Sequence, residues 1–162
     1  MSSNRKGCFA VKQIVKAFKC RLYPTKQQEQ QLQKTFGCTR FVYNHLLHLA
    51  LERKKLSKVA KHYFPSKVDF VNCVALLKED FAFLKEVDSI ALQASAEDLH
   101  EAFSRYFNKQ NGFPNFKKRR SFKSYTTKTV NQNIRLIAKH RMTLPRWCVL
   151  CFYFSGKCAR PW

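Results

Sequence analysis

The chain has 162 residues, with 31 Lys/Arg against 10 Asp/Glu and a formal net charge of +21. That length suits one domain with a proper core or two small ones. The charge surplus points to a polyanionic partner and works against tight self-association without one, because like charges repel in the compact state.

The surplus is uneven. No acid follows Glu101, so Ala102 to Trp162 carry 14 Lys/Arg against none. No apolar run reaches membrane-spanning length, and the opening "MSSNRKGCFAVKQIVKAF" is broken by charge too often for a secretory signal. The seven cysteines (Cys8, Cys20, Cys38, Cys73, Cys148, Cys151 and Cys158) read as reduced thiols of a cytosolic protein, most of them small core hydrophobes.

Residues 1–13 are a basic, polar tail. In "QIVKAFKCRLY" Ile14, Lys16, Phe18, Cys20 and Leu22 share one side and are mostly apolar, which predicts a half-buried strand over 14–22. Pro24 stops it, and Thr25 with Gln28 predicts a capping box for a helix.

In that helix Leu32, Phe36, Thr39, Tyr43, Leu46 and Ala50 recur in a 4-3-4-3-4 rhythm, with Val42 and Leu49 widening the inward stripe. Gly37 interrupts it either as the turn of a helix-turn-helix or as a kink only. Ser66 is placed to cap the next helix, whose inward face holds Phe70, Cys73, Val74 and Leu77. Asp88 or Ser89 caps the longest helix, with a stripe of Leu92, Ala96, Leu99, Phe103 and Tyr106; Gly112 and Pro114 end helical structure. Two apolar patches, "NIRLI" at 133–137 and "WCVLCFYF" at 147–154, predict late strands.

Four groups of residues invite a functional reading. In "GFPNFKKRRSFKSYTTK" the cations Lys117, Lys118, Arg119, Arg120, Lys123 and Lys128, with Lys109 upstream, interleave with Phe113, Phe116, Phe122 and Tyr125. Cations neutralise phosphates and aromatic faces stack on bases, so the loop is a candidate nucleic-acid contact; the plainer reading is a solvated loop whose aromatics tuck inward. Arg40 and Asn44 share a helix face at i, i+4, either for phosphates and base edges or as a surface pair that fixes the turn at Gly37. "CVLC" followed by Cys158 lacks a second cysteine pair for zinc, even with His140 added, and "HLLH" (His45, His48) lacks a third ligand. No cofactor or metal is expected.

Catalysis has no visible seat. A metal-dependent nuclease needs carboxylates converging on its metals. The acids here group around Asp80–Asp88 and Glu97–Glu101, where caps and helix surface account for them. A tyrosine-based DNA transesterase would want a His-x-His pair, and none is present.

"KAFKCRLYPTKQQEQQLQKTFGCTRFVYN", "FAFLKEVDSIALQASAEDLHEAFSRYF" and "GFPNFKKRRSFKSYT" together resemble the N-terminal part of the TnpB (OrfB) family of insertion-sequence proteins, over roughly residues 16–145. Three motifs in the family's order make the resemblance specific. It implies an RNA-guided DNA endonuclease family in which a helical recognition domain is inserted in a wedge-type β-barrel. The expected class is therefore α+β: a mainly helical domain with a helix-turn-helix-like start, set between strands of a small, incomplete barrel.

The implied division is a first wedge strand at 14–23, a helical domain at 24–110, a basic aromatic loop at 111–132, late wedge strands at 133–154 and a tail at 155–162. Arg21, Tyr23, Pro24, Thr25, Gly37, Arg40, Tyr43 and Asn44 match the first motif; Gly112, Pro114, Phe116 and Lys117 match the third. The implied partners are DNA, guide RNA or both; the charge adds the expectation of a monomer, and the cysteines that of the cytoplasm, nucleoid-associated when on DNA. The expected nucleic-acid contacts are Arg21, Arg40, Tyr43, Asn44, Lys109, Phe116, Lys117, Lys118, Arg119, Arg120, Lys123 and Lys128.

The family's nuclease domain, with three acidic metal ligands and a four-cysteine zinc ribbon, lies C-terminal to this region. After "LP" at 144–145 the tail departs from the family pattern. The expectation is a truncated, frameshifted, non-catalytic binding fragment; the alternatives are half of a split nuclease and a decayed, poorly folding remnant.

Overall fold

The structure is a computed structural model, and it describes residues 17, 19–56, 65–120, 123–138, 141–145 and 150–154. The elements run β1 (Cys20–Tyr23), α1 (Lys26–Leu56), α2 (Lys67–Asp80), a 3₁₀ turn (Ala82–Glu86), α3 (Ser89–Phe107), β2 (Arg135–Ala138), β3 (Arg141–Thr143) and β4 (Leu150–Phe154). It is a mixed fold, mainly helical. The tails at 1–13 and 155–162, strand residues 14–16 and 18, and the residues Phe122, His140, Cys148 and Cys158 lie outside the described residues.

α1 begins as its sequence dictates. Thr25 N–H donates to Gln28 Oε1 at 2.9 Å, and Gln28 N–H donates to Thr25 Oγ1 at 3.4 Å, closing the capping box. Glu29 in the first turn and Arg53, Lys54 and Lys55 in the last complement the helix dipole. The helix then runs 31 residues without a break, straight through Gly37. Of the two outlines open at that glycine, continuity holds, and the buried face runs on across it, from Thr35 to Cys38, Thr39 and Val42.

The buried face differs in detail from the predicted stripe. Thr35, Cys38, Thr39, Val42, Tyr43, Leu46 and Leu47 are buried, whereas Leu49 is 39% exposed. Leu32 and Phe36 are only half-buried. The true face lies partly to one side of the predicted line, toward 35, 38 and 42.

Ser66 caps α2 through a second capping box with Asp69, and Phe70, Val74 and Leu77 turn inward. Asp88 caps α3, accepting from Ile90 N–H at 3.2 Å. Ala91, Ala94, Ser95 and Ala96 keep the surface of α3 low, so α1 comes close enough for Ser95 Oγ to donate to the Thr39 carbonyl at 2.8 Å. The core is shared by α1, α2, α3 and the 3₁₀ turn, with Leu46, Leu47, Leu84, Leu92 and Leu99 fully buried. α3 ends at Phe107, before Gly112; Lys109 takes the left-handed conformation (φ 57°) that ends many helices.

The strands form one antiparallel sheet in the order β1-β4-β3-β2, so the first strand pairs with the last. β3, three residues long, has no periodicity to announce it. On β1, Cys20 is half-buried and Leu22 is 37% exposed, less covered than a half-buried strand implies.

Candidate nucleic-acid interface

After α3 the chain becomes a strap. Among the described residues of 112–130 there is no helix or strand, as Gly112, Pro114 and the run of bulky cations dictate. The strap is nonetheless docked along its course. Phe113 meets the Phe103 and Tyr106 rings edge-on at 5.6 and 5.2 Å, and the Lys54 ammonium lies 5.2 Å from its centroid.

Asn44 is the central fastening. Its Nδ2 donates to the Lys117 carbonyl at 3.0 Å, and its Oδ1 accepts from Lys117 N–H at 2.8 Å. One side-chain amide thus satisfies both polar groups of one residue's backbone. The Lys117 ammonium sits 4.0 Å from the centre of the buried Tyr43 ring, a cation–π contact.

Further along, Lys123 Nζ donates to Gln33 Oε1 at 3.2 Å, and Tyr125 meets Phe36 edge-on at 5.8 Å. Thr127 Oγ1 donates to Asp88 Oδ2 at 2.7 Å. Lys128 pairs with Glu97 at 2.6 Å, a carboxylate also held by Lys67 at 3.2 Å. A turn through Asn131 and Gln132, both with positive φ (50° and 57°), leads to the sheet.

The docking creates a cleft between strap and α1. Arg40, Lys117, Lys118 and Lys123 line it with Phe36, Thr39 and Ser124, and no acid does so among the described residues. Arg40, Arg119 and Arg120 have no ion pair or side-chain hydrogen bond among the described residues. Lys117 is open to solvent overall, but its ammonium is partly desolvated over Tyr43. That burial draws its pKa below the ordinary lysine value, against the opposing pull of Asp98. Burial, then the Asp98 charge, pushes the Tyr43 phenol up.

Arg40, Lys117, Lys118 and Lys123, separate in sequence, therefore converge. Asn44 lies behind them with its amide engaged by Lys117, so its geometry is that of a fastening. Tyr43 lies beneath Lys117. Phe116 is 47% exposed beside the cleft, and Lys128 is spent on Glu97. Arg21, on β1, and Lys109, at the end of α3, do not line the cleft. Ser124 and Gln33 were missed by sequence reasoning, and Thr39 was read only as part of the inward stripe; Gln33 meets Lys123, 90 positions away, and leaves no periodic signal.

The acids are dispersed. Asp69 and Asp88 cap helices, Glu86 pairs with Lys34, Glu52 with Lys55, Glu97 with two lysines and Glu101 with Arg105. No group of three His, Cys, Asp or Glu suited to a metal occurs among the described residues. His45 stacks on Phe41, and His48 lies 3.8 Å from Glu52.

Residues 14–58 match the helix-turn-helix domain of the OrfB/IS605 proteins. A candidate RNA-guided DNA endonuclease of Streptomyces pristinaespiralis is 36% identical over 115 residues, covering 68% of this chain. InsQ of Escherichia coli K12, a candidate enzyme of the same description, is 32% identical over 111 residues, covering 65% of this chain. This chain belongs to the TnpB/OrfB family. It spans about a quarter of each endonuclease relative, 27% and 26% of their lengths. It also takes in 95% of the virulence protein VsdF of Salmonella dublin, with 36% identity over 119 residues. The matched stretch of this TnpB/OrfB chain comprises β1 and the unbroken α1.

Proposed function

We propose that this TnpB/OrfB chain is a nucleic-acid-holding module of a transposon-encoded, RNA-guided system, binding DNA, guide RNA or both. The observation that carries the reading is the cleft lined by Arg40, Lys117, Lys118 and Lys123 with no acid among its described residues. Strap cations brought against a helix arginine form a site for phosphates. Lys117, partly desolvated, gains most from an anion that restores its charge balance.

In this reading the helices of 26–107 are the recognition part, and the β1-β4-β3-β2 sheet is the wedge part of a barrel. The chain works as a monomer, kept apart by its charge of +21, in the cytoplasm and on the nucleoid. It binds and does not cut. Its ten acids serve caps, ion pairs and helix surface.

The test is a filter-binding titration of a single-stranded 20-mer against salt. Four neutralised phosphates give a slope of log affinity on log salt of about −3. Arg40→Ala and Lys118→Ala should each make it shallower by roughly 0.7. A titration flat between low and moderate salt removes the reading.

A further inference from the structure

Arg40 is a wall common to two recesses. On one side lies the cationic cleft; on the other is a recess lined by Gly37, Arg40, Phe41, Asn44 and His45. Beside the second recess stands a group of aromatic rings. Phe41 meets Phe81 and Phe83 edge-on at 4.9 and 5.2 Å and stacks on His45 at 5.6 Å. Phe83 is 43% exposed, although its neighbour Leu84 is fully buried. Gly37 lines the recess, and the space where a Cβ would stand is empty to 4 Å.

Charge and adjacency select the occupant. Flat aromatic faces beside a guanidinium suit a flat π-system. The shared Arg40 wall places the recess about one helical turn from the cations, within the reach of one nucleotide. Phe83 itself lines the neighbouring recess, where Glu86, the one acid of its lining among the described residues, is paired with Lys34 at 3.0 Å, so the rim is neutral toward a polyanion. A base stacked inside a duplex has no free face, whereas an unpaired base does.

We propose that Phe83, with Phe41 and His45 behind it, is a stacking shelf for an unpaired nucleobase of a strand whose phosphate lies against Arg40. The inference rests on the nucleic-acid reading above and adds a preference for unpaired nucleotides. A protein surface is the competing occupant.

The experiment compares three probes on the full chain: a single-stranded 20-mer of thymidines, the same backbone with alternate sites abasic, and a 20-bp duplex. The intact strand should bind about tenfold tighter than the abasic one, and this ratio should persist as salt weakens both. Phe83→Ala should remove most of that ratio and leave duplex binding unchanged; Phe83→Trp should keep it. Photo-crosslinking of a 5-iodouracil strand to the wild-type chain, mapped by mass spectrometry, should label the peptide holding Phe83, a readout that requires no variant to fold. Equal wild-type binding of intact and abasic strands overturns the shelf, as does an Ala variant with the ratio intact, the result a protein-docking surface would give. Salt-dependent binding without base preference overturns the shelf alone; no binding of any probe overturns the nucleic-acid reading with it.

Discussion

Replacing Asn44 with alanine should undo the strap locally while sparing the helical core. The lost amide made two hydrogen bonds to the Lys117 backbone, at 3.0 and 2.8 Å. Each is worth about 0.5–1.5 kcal/mol net. Both are solvent-accessible, so the lower half of that range applies, and the pair contributes roughly 1–2 kcal/mol to docking. The Lys117–Tyr43 contact adds about 0.5 kcal/mol where it loosens with the backbone. Phe113, Thr127 and Lys128 still hold both ends of the strap. The Lys117 amide should therefore exchange with solvent about tenfold faster, while the amides of Leu92 and Leu99 keep their protection. Hydrogen exchange read by mass spectrometry or NMR checks both, and single-strand affinity should fall several-fold in the same variant. Unchanged exchange at Lys117 would show that Asn44 does not fasten the strap and would return it to the list of direct contacts.

Gly37→Ala should stabilise the chain by about 0.8–1 kcal/mol, raising Tm by roughly 2–4 °C, because an unbroken helix gains from alanine and the added methyl meets nothing; a lower Tm would mean a turn at that position. Leu92→Ala, in the fully buried core, should cost about 2–5 kcal/mol in urea unfolding, while Leu49→Ala should stay within about 0.5 kcal/mol of wild type. The lowered pKa of Lys117 means that it loses its proton earlier on the alkaline side than an ordinary lysine. Phosphate binding favours the charged form, so affinity at fixed salt should decline as pH rises through that lowered value, and Lys117→Arg should postpone the decline. Glu97, held below the ordinary carboxylate range chiefly by its hydrogen bond to Lys128, favours the docked strap above that range. That support should fade as pH falls through the lowered value, seen as faster amide exchange around Lys128.

The helices were legible because their causes are local. Capping boxes at Thr25 and Ser66 and the Leu92–Phe103 rhythm are written within a few residues of one another, and the folded chain uses them. The facing of α1 was less legible. Leu47 and Leu49 look alike to a periodicity count, and only the placement of the elements packed on α1 decides that Leu47 is buried and Leu49 exposed. At Gly37 the rhythm outweighed the residue, since one glycine costs about 1 kcal/mol while the surrounding face buries several large side chains. In the candidate site the cations could be named from composition, but Asn44 could not be assigned to Lys117, because an extended strap leaves no spacing rule behind. The same holds for Thr127 on Asp88 and Lys123 on Gln33.

The fastening of residue 44 to residue 117 spans 73 positions, and that of residue 33 to residue 123 spans 90. On a ribosome α1 is made long before the strap that completes it. Until then Arg40, Tyr43 and Asn44 stand without the strap residues that they meet in the folded chain. Contacts of such separation close late, since their loop entropy must be met before they return any energy. Competence to hold a polyanion therefore arrives with the strap, after the three-helix core already has the residues it needs and before β2, β3 and β4 are made.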